Sequence, residues 1–435
     1  MLYLSEVKKT VNMRIAIPCC PPLKSLLLFP YFILIVAGLT VPSDGGHGLL
    51  SIKSLSFIAT AVGVLLYILL NKKFSIIQFK VVCFIIASMG FLTLWGITSI
   101  GYGEISDGNA FDQFKLFFLT VSVVAITIYL VSENIISFAT FLKTVLYANF
   151  AFSATKISLI ILHLFGMIDL WSMVERFGIR VMGMQIVGNV FRFQASIDIA
   201  TPFLLFFFLQ APLFGISWSK RFRFLYLAIS LVAIFLSFSR FLLFVGVLSL
   251  ILHAVTLRLS TIVRSLPLLV IGLVLGLSWL GLDDAYTVVE RRLLSIDNST
   301  SDRIRTDQIN AMMEEHETFP FMGKGLGGYA TDYIRDDKIR HSYEVQWVAF
   351  LMQFGLLGIA AILSALGMIG VTILSLPWTR AKIGLFLMYL CWLLSGFTNP
   401  FLISLTSGIL YSLFFLAGRR LRTTTTDKDH AMLPM

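Results

Sequence analysis

The sequence predicts an all-α, polytopic membrane protein with about 12 transmembrane helices and one long extramembrane loop. Three observations carry that expectation. Hydrophobic residues make up 57% of the 435 and charged residues only 13%, with a mean hydropathy of +0.87. A soluble domain carries roughly 25% charged residues, so this chain lacks the polar groups to cover a water-facing surface. Apolar runs of span length recur from end to end. Lys and Arg, finally, collect in alternate connections and leave the short connections between them empty.

A span needs about 20 mostly apolar residues, rising 1.5 Å each across a core of about 30 Å. Candidate runs lie near 25–41, 49–70, 80–99, 113–131, 135–165, 196–217, 222–239, 241–257, 265–282, 344–376, 383–398 and 401–417. Two pairs of runs nearly touch. Arg240 separates 222–239 from 241–257, and a charge at the bilayer centre is expensive. Arg240 therefore reads as the interfacial tip of a tight helical hairpin. Asn399-Pro400 separates the last two runs, and proline disfavours helix at the residue before it, which suits a turn.

With the N-terminus inside, the segments 1–24, 71–80, 132–134, 218–223, 258–264, 377–382 and 418–435 hold 18 Lys and Arg. The short loops on the other side, 41–48, 100–112 and 399–400, hold none. Such a bias fixes orientation, so both termini are expected in the cytoplasm. One integral membrane domain then covers 1–435, with a large outward loop at 283–343 between spans 9 and 10. Cys19-Cys20-Pro21-Pro22 interrupts the N-terminal segment, which does not read as a cleaved signal peptide. Cys19 and Cys20 are adjacent, and Cys83 and Cys391 lie in apolar runs, so neither a disulfide nor a metal site is expected. The net charge of +10 is a matter of sidedness here, and no nucleic acid is expected as a partner.

Twelve basic residues break the outward pattern: Arg176, Arg180 and Arg192 in 166–195, Arg240 at the hairpin tip, and eight in the large loop. Long loops are exempt from the sidedness rule, but Arg192 and Arg240 are less easily excused. Arginine is the side chain suited to phosphate, a permanently charged planar fork that bonds two oxygens at once. Converging arginines beside a membrane point to a lipid-linked phosphate or pyrophosphate, with Arg240, Arg192 and Arg303 as the candidates. The bland readings are a snorkelling interfacial charge for Arg240 and an exposed helical charge for Arg303. Lys156 lies inside a long apolar run and leaves two readings, a pair with Asp198 or a place on a cavity wall.

A loop of about 60 residues exceeds what a connection needs and is usually functional or disordered. Ser301–Glu317 has Ile304, Ile309 and Met312 at helical spacing, which predicts an amphipathic helix lying over the outer face. Gly323, Gly325, Gly327 and Gly328 follow. No strand precedes them, so they read as turns or as a substrate-hugging loop, not as a dinucleotide site. His341-Ser342 then precedes the longest apolar run. A histidine at the N-terminal end of a helix, near arginines, favours the neutral imidazole that can accept a proton; the alternative is an interfacial histidine with no role. The acidic pairs Asp283-Asp284 and Asp336-Asp337 are adjacent and diverge, and no His has matching ligand spacing, so the expected chemistry is metal-independent, with no cofactor.

These residues, in this order, resemble the O-antigen ligase family. The resemblance rests on His341-Ser342 followed by Gly355-Leu356-Leu357-Gly358, and on Phe238-Ser239-Arg240 as a Ser-Arg hairpin. It also rests on Ser301-Asp302-Arg303 with the helix and glycines after it, and on Val190-Phe191-Arg192. It departs at Asp307, where the family often has an aromatic, and at Ile199-Ala200-Thr201-Pro202 in place of Asn-Pro-Asn. The resemblance implies a glycosyltransferase of the C type in the bacterial inner membrane, with a periplasmic large loop and active site. It would move an O-antigen glycan from undecaprenyl pyrophosphate to a sugar hydroxyl of lipid A–core in lipopolysaccharide biosynthesis, with inversion. Arg240, Arg303 and Arg192 would hold the pyrophosphate, and His341 would be the general base. Within the same implied fold, an O-antigen polymerase is the enzyme alternative. A transporter or flippase of lipid-linked glycans is the alternative of a different class.

Overall fold

The computed structural model describes residues 21–41, 51–70, 75–101, 107–176, 181–187, 190–257, 299–335, 337, 339–375 and 377–431. The chain is a multi-pass membrane protein, and its surface shows why. Helix α1 spans Pro21–Thr40, and helix α2 (Ile52–Leu70) turns Leu55, Ile58, Val62, Leu65, Leu66 and Leu69 outward, a continuous apolar face that water would not tolerate. The next helix, α3 (Ile76–Gly101), likewise exposes Ile76, Phe79, Ile86, Leu94, Ile97 and Ile100.

The expectation of about 12 spans is corrected. Among the described residues, 6 helices are long and apolar enough to cross a membrane: Ile52–Leu69, Ile76–Gly101, Gly108–Ser132, Phe138–Leu164, Gln346–Leu374 and Arg380–Phe397. Of the other expected runs, Pro21–Thr40 and Arg240–Leu257 are helical over 20 and 18 residues, whereas the run at 196–217 is broken into shorter pieces. The run at 196–217 shows the physical reason most clearly. Its 3-10 turn Ser196–Ala200 leads into a helix of only 9 residues, Thr201–Leu209, and a second 3-10 turn ends at Gly215 in the left-handed region. Nine residues rise roughly 14 Å, under half the hydrocarbon core. Phe203 to Phe208 are all buried, so this helix is apolar all round because protein surrounds it. The run at 222–239 folds as Lys220–Leu236, 17 residues with three basic side chains in its first turn. The final helix, Leu405–Ala431, carries Arg419, Arg420 and Arg422 within its length. The run expected near 265–282 lies outside the described residues.

The fold is also not purely helical. After α4 (Asp107–Ser132), α5 (Phe138–Leu164) and α6 (Leu170–Arg176), strands β1 (Val181–Val187) and β2 (Val190–Ala195) pair antiparallel, with Met184 opposite Arg192. The order continues with α7 (Thr201–Leu209), α8 (Lys220–Leu236), α9 (Arg240–Leu257), α10 (Ser299–Thr318), α11 (Gln346–Leu374), α12 (Arg380–Leu394) and α13 (Leu405–Ala431). One main core, built on Phe141, Phe203, Phe207, Tyr389, Trp392 and Phe414, ties α5, α7, α12 and α13 together. A separate core of Met312, Ala330, Tyr343, Val345, Ala349 and Met352 binds α10 to the start of α11.

Candidate functional site

The described part of the large loop is a packed cap, not a flexible one. Helix α10 forms where the sequence predicts it and buries Gln308, Met312 and His316, while Ile304 is exposed. Its apolar face is therefore narrower than the spacing suggested. Gln308 Oε1 accepts from the Glu344 amide at 3.0 Å. Arg305 Nε reaches one oxygen of Glu344 at 3.2 Å, and Arg335 reaches the other at 3.2 Å. The helix that carries Arg303 is thus fastened to the segment 341–345. Arg303 itself is exposed.

The glycine segment serves backbone packing. Helix α11 breaks at Gly355, whose φ of 60° and ψ of −171° are not helical. The break frees backbone groups inside a span-length helix, where each must find a partner. The incoming loop supplies them. The Leu356 amide donates to the Pro320 carbonyl at 2.9 Å and the Leu357 amide to Phe321 at 3.1 Å. In return, the Lys324 amide donates to Met352 at 2.9 Å and the Gly325 amide to Gln353 at 2.8 Å. A Cβ at Gly355 would stand 2.3 Å from the Phe321 carbonyl oxygen, so only glycine fits. Residues 323–328 are all buried, and the segment is a backbone-to-backbone seam, which replaces the reading of a loop that hugs substrate.

Gln353, just before the break, organises this seam. Its Nε2 donates to the carbonyl of Gly328 at 2.8 Å and to that of His341 at 3.2 Å, while its Oε1 accepts from Gln113 Nε2 at 2.7 Å. Gln113 Oε1 in turn accepts from the Gly327 amide at 2.5 Å. His341 is therefore fixed through its backbone and is 6% exposed. It does not head the helix, which starts at Gln346. The helix dipole acts mainly over the first turn, so the dipole argument for His341 does not carry over. Sequence reasoning missed Gln353, Gln113 and Glu344. The signal for Gln353 was present: an amide inside an apolar run needs partners.

Lys324 and Glu315 form a further pair beneath the cap, with Nζ 2.8 Å from Oε2. Burial alone would raise the Glu315 carboxyl, but hydrogen bonds from Lys324 and from Thr331 outweigh it and hold the carboxyl below its usual range. The Tyr343 hydroxyl accepts from the Ala330 amide at 2.7 Å, and burial pushes its pKa up to about 12. Arg340 lies over the Tyr329 ring at 5.4 Å. These loop charges hold the cap together.

The other two arginines both belong to the surroundings of the α8–α9 turn. Arg240 is the first residue of α9 and is exposed. Phe238, in the turn before it, has a φ of 43°, a left-handed backbone rare for a bulky side chain. Arg192 Nε donates to the Ser237 carbonyl in the same turn at 3.2 Å, and Arg192 also donates to Gln194 Oε1. Lys156 Nζ donates to Asp198 Oδ1 at 2.8 Å and to the Ala233 carbonyl at 3.2 Å. Of the two readings of Lys156, the pair with Asp198 is the one observed. The four candidates thus form two pairs, Arg192 with the Arg240 hairpin and the Arg303 helix with the His341 segment. Helices α9 and α11 both pack on α12. Among the described residues, no group of three His, Cys, Asp or Glu side chains could hold a metal ion.

Comparison with known proteins adds one finding. Residues 225–363 match the family model described as O-antigen ligase. The matched stretch contains Arg240, Arg303 and His341. Arg192 lies outside it and joins through its bond to Ser237, which lies inside. No curated protein matches the chain.

Proposed function

Because residues 225–363 carry an O-antigen ligase domain, we propose that the chain transfers a glycan from undecaprenyl pyrophosphate to a sugar hydroxyl of lipid A–core. The observation that carries this reading is that one matched stretch holds Arg240, Arg303 and His341, on elements fastened into a rigid cap and hairpin. The protein lies in the bacterial inner membrane with both termini cytoplasmic, and the cap faces the periplasm. Both substrates are lipids and enter from the bilayer.

The donor is already activated as a sugar pyrophosphate, so the reaction needs no nucleotide and no cofactor. The acceptor oxygen attacks the anomeric carbon as the bond to the pyrophosphate oxygen breaks. The hydroxyl proton passes to His341, and Arg240, Arg303 and Arg192 receive the charge that develops on the departing pyrophosphate. A single displacement inverts the anomeric centre. Donors of positive charge can serve here in place of a metal, so the reaction is metal-independent.

The test is reconstitution of the purified protein in vesicles with the two lipids alone, in excess chelator. Lipid A–core bearing the donor glycan is the expected product. A longer glycan still on undecaprenyl pyrophosphate would make the protein a polymerase. Donor moved across the bilayer with both lipids chemically unchanged would make it a carrier. Activity restored only by added magnesium or calcium would end the metal-independent part of the reading.

A further inference from the structure

The ion pair between Lys156 and Asp198 takes no part in the chemistry proposed above, yet it lies among the residues that carry Arg192 and Arg240. Lys156 is 2% exposed and Asp198 1% exposed, and the two are 42 residues apart in sequence. Removing two charges from water costs about as much as their attraction returns, and apolar replacements of buried pairs are often neutral or stabilising. A chain that is 57% hydrophobic had apolar side chains to fill this space. The charges therefore invite an explanation beyond filling.

Each partner of the pair also bonds to a backbone group, and these bonds have direction. Asp198 Oδ2 accepts from the Ala195 amide at 2.7 Å, at the end of the strand that bears Arg192. Lys156 Nζ donates to the Ala233 carbonyl at 3.2 Å, one turn before the hairpin that bears Arg240. The circuit closes on the far side, where Arg192 Nε donates to Ser237 at 3.2 Å. Strand and hairpin are thus held at two places, by the ion pair and by Arg192.

We propose that Lys156 and Asp198 are positioning residues that set Arg192 and the Arg240 hairpin against each other to receive the anionic pyrophosphate of a lipid-linked donor. The proposal rests on the donor reading given above. Two guanidinium groups grip one pyrophosphate only at a fixed separation, and an error of about 1 Å in such a constellation can cost on the order of 10²-fold. The pair supplies that separation from Lys156 on α5 and Asp198 in the turn Ser196–Ala200.

The experiment compares two double variants in the vesicle assay, reading donor and acceptor KM separately. Lys156→Met with Asp198→Leu removes the charges and both backbone tethers. It is expected to raise the donor KM roughly tenfold or more, leave the acceptor KM unchanged, and make a further Arg192→Ala change almost without effect. Lys156→Gln with Asp198→Asn keeps hydrogen-bonding groups at both tethers without charge and is expected to restore the donor KM to within about threefold of wild type. An unchanged donor KM in the Met/Leu protein, while Arg192→Ala alone is defective, would overturn the proposal and leave the donor reading standing. Should the Met/Leu protein fail to insert, a donor KM in the Gln/Asn protein as poor as that of Arg192→Ala would overturn it. Arg192→Ala with a normal donor KM would instead overturn the donor reading of Arg192, and the proposal with it.

Discussion

Arg192 Nε lies 3.2 Å from the carbonyl oxygen of Ser237, three residues before Arg240. A strand and a helical hairpin distant in sequence are therefore joined, with Arg192 bonded to the turn that precedes Arg240. That turn includes Phe238 with its left-handed backbone, a conformation retained only where the surroundings enforce it.

Arg240→Lys keeps the charge and loses the planar fork. If Arg240 bonds two oxygens of the donor, transfer should fall roughly 10²–10³-fold even for this mild change. Near-normal transfer rates by the lysine variant would return Arg240 to an interfacial charge that touches no substrate.

Gly355→Ala tests the seam between the broken helix and the cap. The new methyl group would collide with the Phe321 carbonyl, and a left-handed φ adds strain of about 1–3 kcal/mol. Thermal unfolding in detergent should shift to lower temperature, and the cap should become sensitive to protease. A variant as stable and as resistant as wild type would contradict the seam.

The fold was legible only in part. The hairpin at Arg240 was readable because a charge between two apolar runs has few places to stand. The helix at Ser299–Thr318 was readable from its apolar spacing, although Ile304 faces outward. Span number was not, because apolar length alone cannot separate a helix facing lipid from one enclosed by protein, and Phe203 to Phe208 are of the second kind. The hairpin of Val181–Val187 with Val190–Ala195 escaped although Phe191 to Ala195 alternate between apolar and polar, because five residues are a weak signal beside long apolar runs. For the candidate site, the residue types could be named from the sequence. Their pairing through Ser237 and through Glu344 depends on contacts across long stretches of chain.

Glu315 predicts a pH dependence of the cap. Its carboxyl is held below the usual range in the folded protein. The stabilisation is therefore fully present above the unfolded value of about 4.3 and is lost as pH falls through the lower folded value. Glu315→Gln should lower the melting temperature at pH 7 and flatten its decline in acid. A variant whose melting temperature falls in acid as steeply as that of wild type would show that Glu315 contributes nothing.

Orientation has its own test. A cysteine at Ser301 should react with a membrane-impermeant thiol reagent once the outer membrane is permeabilised, and a cysteine at Thr425 should not. The opposite labelling would invert the protein in the membrane and move the proposed site to the cytoplasm.

The role of His341 as the base is tested by glycan transfer by wild type and by His341→Ala in vesicles containing donor and lipid A–core, with donor binding measured alongside. A general base contributes roughly 10²–10⁴-fold. A loss of that size is expected, with donor binding intact in the variant. A variant that transfers glycan at the wild-type rate would contradict it.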